Sequence, residues 1–180
     1  MQELLSYDDV LLLPQYSDIR SRSEISLQAN LTNKLFLNMP IISSPMDTIS
    51  ETAMAVTLGT QGGTAIIHRY NSIESQSRMV SMARDIATAH NTDSIIVGAA
   101  VGVTDDFMNR AISLVEANVT FLCIDVAHGH HINVKEALQR LRSEFGEDMH
   151  LMAGNVATLE GVNALADWGA DSVRCNIGGG

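Results

Sequence analysis

The chain has 180 residues, 46% hydrophobic and 18% charged with few aromatics, a composition that builds a packed globular core and excludes a disordered segment. Its formal net charge of −10, with no basic stripe anywhere, excludes a surface designed for a nucleic-acid backbone. No apolar run is long enough to span a bilayer, the opening MQELLSYDDVLLL lacks the basic start of a signal peptide, and Cys123 and Cys175 sit inside apolar runs rather than in a disulfide framework, so the expected setting is a reducing cytoplasm with neither nucleic acid nor membrane as partner.

Residues 1–38, with YDDVLLLPQYSDI and the alternating EISLQANL, predict an extended arm or small hairpin laid against one end of the fold. From about residue 40 one unit repeats: a short apolar run, a polar or glycine-containing junction, then a segment of helical spacing. The runs are PIISS (40–44), GTAIIH (63–68), SIIVGAAVG (94–102), TFLCIDV (120–126), HLMAGNV (150–156) and DSVRCNI (171–177). The segments between them predict half-buried helices, because Met79, Val80, Ala83, Ile86 and Ala87 share one face, as do Phe107, Met108, Ala111, Leu114 and Val115, and Val134, Leu138, Leu141 and Phe145. Thr48 with Glu51 and Asn71 with Glu74 have the spacing of helix-capping pairs.

Strict alternation of nearly all-apolar strands with helices predicts parallel strands covered by helices, so the class is α/β. No G-x-G-x-x-G follows the first run, which speaks against a doubly wound dinucleotide-binding sheet and for a barrel. A complete (β/α)8 TIM barrel takes about 250 residues. Residues 39–180 are therefore read as about the first six strands of one, behind the arm and continuous with it in a single domain.

Barrel chemistry belongs at the carboxyl ends of the strands. The polar residues there are Ser43, Ser44 and Asp47; His68 and Arg69; Asp125, His128, His130 and His131; Asn155 and Thr158; Arg174, Asn176 and the closing glycines. In SSPMDT (43–48), Ser44 suits an anionic group, while Asp47 and Thr48 either cap the next helix or face the same site. DVAHGHH (125–131) brings Asp125 and three imidazoles to one strand-to-helix junction. His128 and His130 read either as metal ligands or as exposed loop residues, and Asp125 suits a ribose hydroxyl pair. Asn155 either reads the edge of a heterocycle or only closes its turn. Arg174, inside a strand, needs a partner if buried, and the glycines after it offer carbonyls to a cation or N–H groups to an anion. Cys123, among apolar neighbours, reads as inert packing, and neither it nor Cys175 is an expected nucleophile.

YDDVLLLP (7–14), PIISSPMDTISETAMA (40–55), GGTAIIHRYNSIESQ (62–76), DVAHGHH (125–131), MAGNVAT (152–158) and GADSVRCNIGGG (169–180) recur in order over essentially the whole chain. Together they resemble the inosine monophosphate (IMP) dehydrogenase and guanosine monophosphate (GMP) reductase family, and SSPMDT and DVAHGHH favour the dehydrogenase. The resemblance implies a (β/α)8 barrel and an NAD-dependent oxidation of IMP to xanthosine monophosphate, in which a cysteine thiolate adds to C2 of the purine, hydride leaves for NAD and the covalent intermediate is hydrolysed.

Carried over by position, it implies that Ser44 and Met46 contact the nucleotide, Met46 beneath the base. Asn155 faces the purine and the reacting centre, with Gly180 also on the substrate side. Asp125 accepts from the nicotinamide ribose, with Val126 and Ala127 beside it, and Arg174 orders the cofactor side. The carbonyls of Gly178 and Gly180 bind potassium. The family's cysteine belongs to a glycine–serine–x–cysteine–threonine loop that would follow Gly180, so these 180 residues alone are expected to be inactive. Cys175 and Asn176 stand where valine and glycine are commoner. ATAHNTD (87–93) leaves no room for the regulatory modules that many dehydrogenases insert, and a homotetramer of the full-length protein is expected. Two other readings stay open: a GMP reductase using NADPH, and a non-catalytic truncated barrel that binds nucleotide or pairs with intact subunits.

Overall fold

The computed structural model of the chain describes residues 7–32, 34–89 and 95–176. Residues 10–28 form an exposed arm with little regular structure, on which Leu11 and Leu12 are each 97% exposed. It leads into a short antiparallel pair, β1 (Ala29–Asn30) with β2 (Phe36–Leu37).

Six parallel strands follow: β3 (Ile42–Ser43), β4 (Thr64–Ile67), β5 (Val97–Val101), β6 (Phe121–Asp125), β7 (His150–Val156) and β8 (Ser172–Cys175). Between them come α1 (Thr52–Thr60), α2 (Ile73–Ala89), α3 (Phe107–Glu116), α4 (Ile132–Phe145) and α5 (Leu159–Asp167). Every strand pairs with its neighbours in sequence, in the order β3-β4-β5-β6-β7-β8. A doubly wound sheet would reverse that order at a switch point. The unbroken order gives a curled half-barrel, as the repeat predicted.

Alternation along the strands divides the core in two. Ala65, Ile67, Val97, Ala99, Val101, Leu122, Ile124, Leu151 and Ala153 point outward to the buried helix faces. Each predicted helix stripe lies on this side, with Val80, Ala83, Ala87, Ala111, Leu114, Val134, Leu138 and Leu141 buried. Ile66, Ala100, Phe121, Cys123 and Met152 point the other way, into the barrel, where Leu31 and Leu35 from the β1–β2 hairpin pack against them. The hairpin thereby closes the amino-terminal end. Gly98 belongs to this interior face, where a Cβ would sit 2.2 Å from the Phe121 ring, so the missing side chain is what admits that ring.

The helix ends follow local chemistry. α1, α3 and α5 each close with the paired hydrogen bonds of a Schellman turn: Gly63 N–H to Leu58, Val119 N–H to Leu114 and Ala170 N–H to Leu165 are the longer bond in each. The left-handed residue this needs is Gly62, Asn118 and Gly169, respectively. At the amino ends, the Thr158 hydroxyl accepts from Gly161 N–H and His131 Nδ1 accepts from Asn133 N–H.

Both predicted capping pairs are corrected. Thr48 adopts φ 61° and donates its hydroxyl to the Asp47 carbonyl, while α1 begins after Glu51 with no side-chain cap. Asp47 and Thr48 therefore do not cap that helix. Asn71 donates its amide to the His68 carbonyl, and the cap of α2 is its neighbour Ser72, whose hydroxyl accepts from Ser75 N–H.

A buried polar bracket holds β4 and β5 at their carboxyl ends. Gln76, fully buried on α2, donates to the carbonyls of Ile67 and Ala100 at 3.1 and 2.9 Å. Its own Oε1 accepts from Arg110 of α3 at 2.9 Å, and Arg110 also reaches the Asn71 carbonyl and Asp106. At the opposite end, a cavity of about 580 Å³ is lined by Thr32, Lys34, Leu35 and His150 among others. His150 bonds Ser172 and packs edge-on against Phe121, and burial holds its imidazole below the ordinary histidine range.

Candidate functional site

The carboxyl ends of β3, β6, β7 and β8 bring four of the expected residues together. Asp125 ends β6, and in the sheet register it lies beside Gly154 of β7, which in turn lies beside Arg174 of β8. A strand separates the two charged residues, so about 9–10 Å of sheet lies between their backbones. Gly154 has no side chain to fill that gap. Arg174 crosses it and donates from Nη1 to Asp125 Oδ1 at 2.5 Å, both side chains being about one-fifth exposed. A Cβ on Gly154 would stand 2.6 Å from Arg174 Cβ and 2.7 Å from the Arg174 carbonyl. From the same guanidinium, Nη2 reaches Ser44 Oγ at 3.2 Å, linking the last strand of the sheet to the first across the mouth.

Asn155 follows Gly154. Its N–H donates to the Val126 carbonyl and its carbonyl accepts from Gly129 N–H at 2.7 Å, which fixes the backbone. Its side-chain Oδ1 is buried without a hydrogen-bond partner among the described residues. An unpaired buried acceptor costs free energy, so it suits a site whose donor arrives with a ligand. Val126 is half-buried with its N–H on the Gly154 carbonyl, and Ala127 is exposed. Met46 is 51% exposed at the mouth. Gly178 and Gly180 lie outside the described residues.

The loop that carries Ser44 and Met46 is held by two buried groups to which the sequence reading gave no role. Ser50, fully buried, donates its hydroxyl to the Ser44 carbonyl and lies 2.5 Å from Ser43 Oγ, while its own carbonyl accepts from His68 N–H. His68 is 2% exposed, and its Nδ1 accepts from Tyr70 N–H at 3.2 Å. Nε2 therefore carries the hydrogen of the neutral ring and donates to Glu51 Oε1 at 3.3 Å, with Asp47 Oδ1 at 3.7 Å. Spacing could not find this clamp, because serine and histidine become informative only once their hydrogen-bond partners are known.

Asp47, Glu51 and His68 also have ligand atoms within 4.8 Å of one another, the closeness a metal ion needs. The imidazole does not fit that use, because its one lone pair is already taken at Nδ1. His128 and His130, considered as ligands in DVAHGHH, are placed otherwise: His128 is exposed and His130 lies against the Trp168 ring, while the neighbouring His131 caps α4. These are loop and packing roles.

The two thiols differ sharply. Cys123 is fully buried inside the barrel, and burial pushes its pKa up to about 12. Cys175 is exposed at the end of β8. Alkylation at pH 7 followed by peptide mass spectrometry is expected to modify Cys175 and to leave Cys123 intact until the chain is unfolded, since the thiolate is the reacting species. Equal labelling of both in the folded chain would contradict this burial.

Comparison with known proteins agrees with the architecture. The profile described as the IMP dehydrogenase / GMP reductase domain matches residues 4–180. Among curated relatives, the inosine-5'-monophosphate dehydrogenase of Borreliella burgdorferi is 32% identical over 222 residues, covering 99% of this chain and 54% of the relative. That of Cryptosporidium parvum is 34% identical over 212 residues, covering 98% and 52%. The GMP reductase of Streptococcus agalactiae serotype V is 34% identical over 177 residues, covering 98% and 51%. The chain thus spans about half the length of the curated relatives it matches.

Proposed function

The chain belongs to the IMP dehydrogenase / GMP reductase family, and we propose that it supplies the nucleotide-binding and cofactor-binding face of an enzyme that oxidises IMP to xanthosine monophosphate with NAD. The observation that carries this reading is the line Ser44–Arg174–Asp125 across the mouth of the half-barrel, with the unpartnered Asn155 Oδ1 beside it.

In this reading Ser44 and Met46 hold the mononucleotide, Met46 beneath the base, and Asn155 Oδ1 accepts from the purine. Arg174 ties the two halves of the site together, since one guanidinium contacts both Ser44 and Asp125. By neutralising one oxygen of Asp125 it orients the other for the two hydroxyls of the nicotinamide ribose, with Val126 and Ala127 alongside. NAD, when bound, supplies the acceptor for the hydride that leaves C2 of the purine. The Ser50–His68 clamp keeps Ser44 and Met46 in place and limits the reorganisation that binding requires.

The nucleophilic cysteine of this reading is neither Cys123 nor Cys175 and follows Gly180 in the family's order. Potassium binds the carbonyls of Gly178 and Gly180, and the whole protein is a cytoplasmic homotetramer without the inserted regulatory modules. The 180 residues alone bind nucleotide without turnover.

A GMP reductase is the second reading, supported by 34% identity to a curated reductase over 177 residues. Mixing the chain with IMP and NAD, and separately with GMP and NADPH, is expected to give no change in reduced cofactor in either case, while calorimetry registers IMP binding. Turnover of IMP by the chain alone would refute the placement of the nucleophile, and binding of GMP with NADPH but not of IMP with NAD would favour the reductase.

A further inference from the structure

At the end of the fold opposite the mouth, the cavity of about 580 Å³ lies between the tip of the β1–β2 hairpin, which contributes Lys34 and Leu35, and the starts of β7 and β8. Its size is that of a small-molecule pocket, about 300–1,000 Å³. Glu147 and Asp148 line it from the α4–β7 connection, His150 is the first residue of β7, and Asp171 precedes β8. None of these residues belongs to the nucleotide mouth, so a ligand here is independent of the reading proposed above.

His150 is the residue whose hydrogen bonding is incomplete. It is 8% exposed, and Nε2 meets Ser172 Oγ at 2.8 Å, while Nδ1 is buried with no partner among the described residues. A buried polar nitrogen is costly to leave unpaired. Burial also holds the imidazole below the ordinary histidine range, so the ring is neutral at neutral pH and does not repel a cation. With the Nε2 hydrogen given to Ser172, Nδ1 is an acceptor.

The charged groups around it are acceptors too. Asp171 gives Oδ2 to Arg142 Nη2 and Leu151 N–H at 2.8 and 2.7 Å, and its Oδ1 has no hydrogen bond among the described residues. Asp148 already holds an ammonium, that of Lys34 at 3.0 Å, in a pair whose side chains are 74% and 98% exposed. Such an exposed pair is weak, so a competing ammonium displaces Lys34 at little cost. Three carboxylates against one lysine in the lining disfavour an anion. A metal ion does not suit this donor set either, since among the described residues the one cluster of three potential ligand atoms is that of Asp47, Glu51 and His68 at the other end of the fold.

We propose that the amino-terminal cavity binds a small organic cation of the diamine type, one ammonium donating to His150 Nδ1 and Asp171, the other taking the place of Lys34 between Asp148 and Glu147. Leu35 packs on the methylene stem between them. An ammonium carries three N–H donors and no acceptor, which matches a lining whose unspent groups accept.

The test follows the methyl and histidine-ring nitrogen NMR signals of the chain as 1,4-diaminobutane is added at constant ionic strength, with 1,4-butanediol, the same stem without charge, as the comparison. The diamine is expected to give saturable shifts at His150 and Leu35, and the diol none over the same range. His150→Phe keeps a ring against Phe121 but removes both nitrogens, and is expected to weaken the diamine roughly 10-fold or more. Glu147→Gln, on an exposed connection, is expected to weaken it roughly 2- to 5-fold. Lys34→Met removes the competing ammonium and is expected to tighten binding by a similar factor, a gain that no misfolded variant would show. An equal response to the diol would overturn the proposal, because the cavity would then recognise the stem without the charge. Diamine binding that His150→Phe and Glu147→Gln leave unchanged, binding that Lys34→Met fails to tighten, or the absence of any saturable shift would overturn it as well.

Discussion

Gly154→Ala is expected to lower the stability of the chain by about 3 kcal/mol and to disconnect Arg174 from Asp125. The added methyl would meet Arg174 Cβ at 2.6 Å and the Arg174 carbonyl at 2.7 Å. Neither atom lies at the flexible end of a side chain, so relief requires β7 and β8 to separate. That motion withdraws Arg174 from an ion pair whose two side chains are about four-fifths buried, leaving Asp125 without its partner. Urea denaturation measures the first effect and titration with NAD the second, with affinity expected to fall at least about 30-fold through the lost orientation of Asp125. A stability change below about 0.5 kcal/mol, together with unchanged NAD binding, would mean that the gap at Gly154 has no part in forming the pair.

Arg110→Met is expected to cost about 3–5 kcal/mol, a loss as large but away from the ligands. The substitution leaves Gln76 Oε1, fully buried, without its donor and removes the bonds to the Asn71 carbonyl and Asp106. Methionine fills much of the volume but returns none of the hydrogen bonds, so the cost comes from the buried amide left half-satisfied. Because Gln76 also joins the ends of β4 and β5, the damage should spread to the stretch where Arg69 and Gly102 lie. A double variant with Gln76→Leu should be less destabilised than the sum of the two single changes, since it removes both halves of the same bracket. Additive losses would show that the two residues act independently.

The architecture was legible because it rests on composition along short windows. Runs such as TFLCIDV and HLMAGNV are apolar on both faces, as strands covered on both sides must be, and both form strands within those limits. The helical stripes were legible for the same reason, with Val134, Leu138 and Leu141 falling on one face and burying there. The caps were not, because Thr48 and Asn71 have the right side chains but spend them on the Asp47 and His68 carbonyls, and only the backbone path decides between such uses.

Within the site, Asp125 and Arg174 were each visible as polar residues at a strand end, but their pairing was not. They lie 49 positions apart, and what unites them is the absent side chain of Gly154 between them. Arg69 shows the same limit from the other side. It was visible as a polar residue at a strand end, but that its Nε has no hydrogen-bond partner among the described residues appears only when the neighbours that could have bonded it are in place.

The account rests on the carboxyl-terminal mouth being where the nucleotide binds, and mapping the backbone and methyl NMR signals of the chain as IMP is added tests this most directly. The expected result is a saturable shift concentrated at Ser44, Met46 and Asn155. Shifts centred instead on Thr32, Lys34 and His150, around the cavity at the amino-terminal end, would contradict it, as would the absence of any saturable shift.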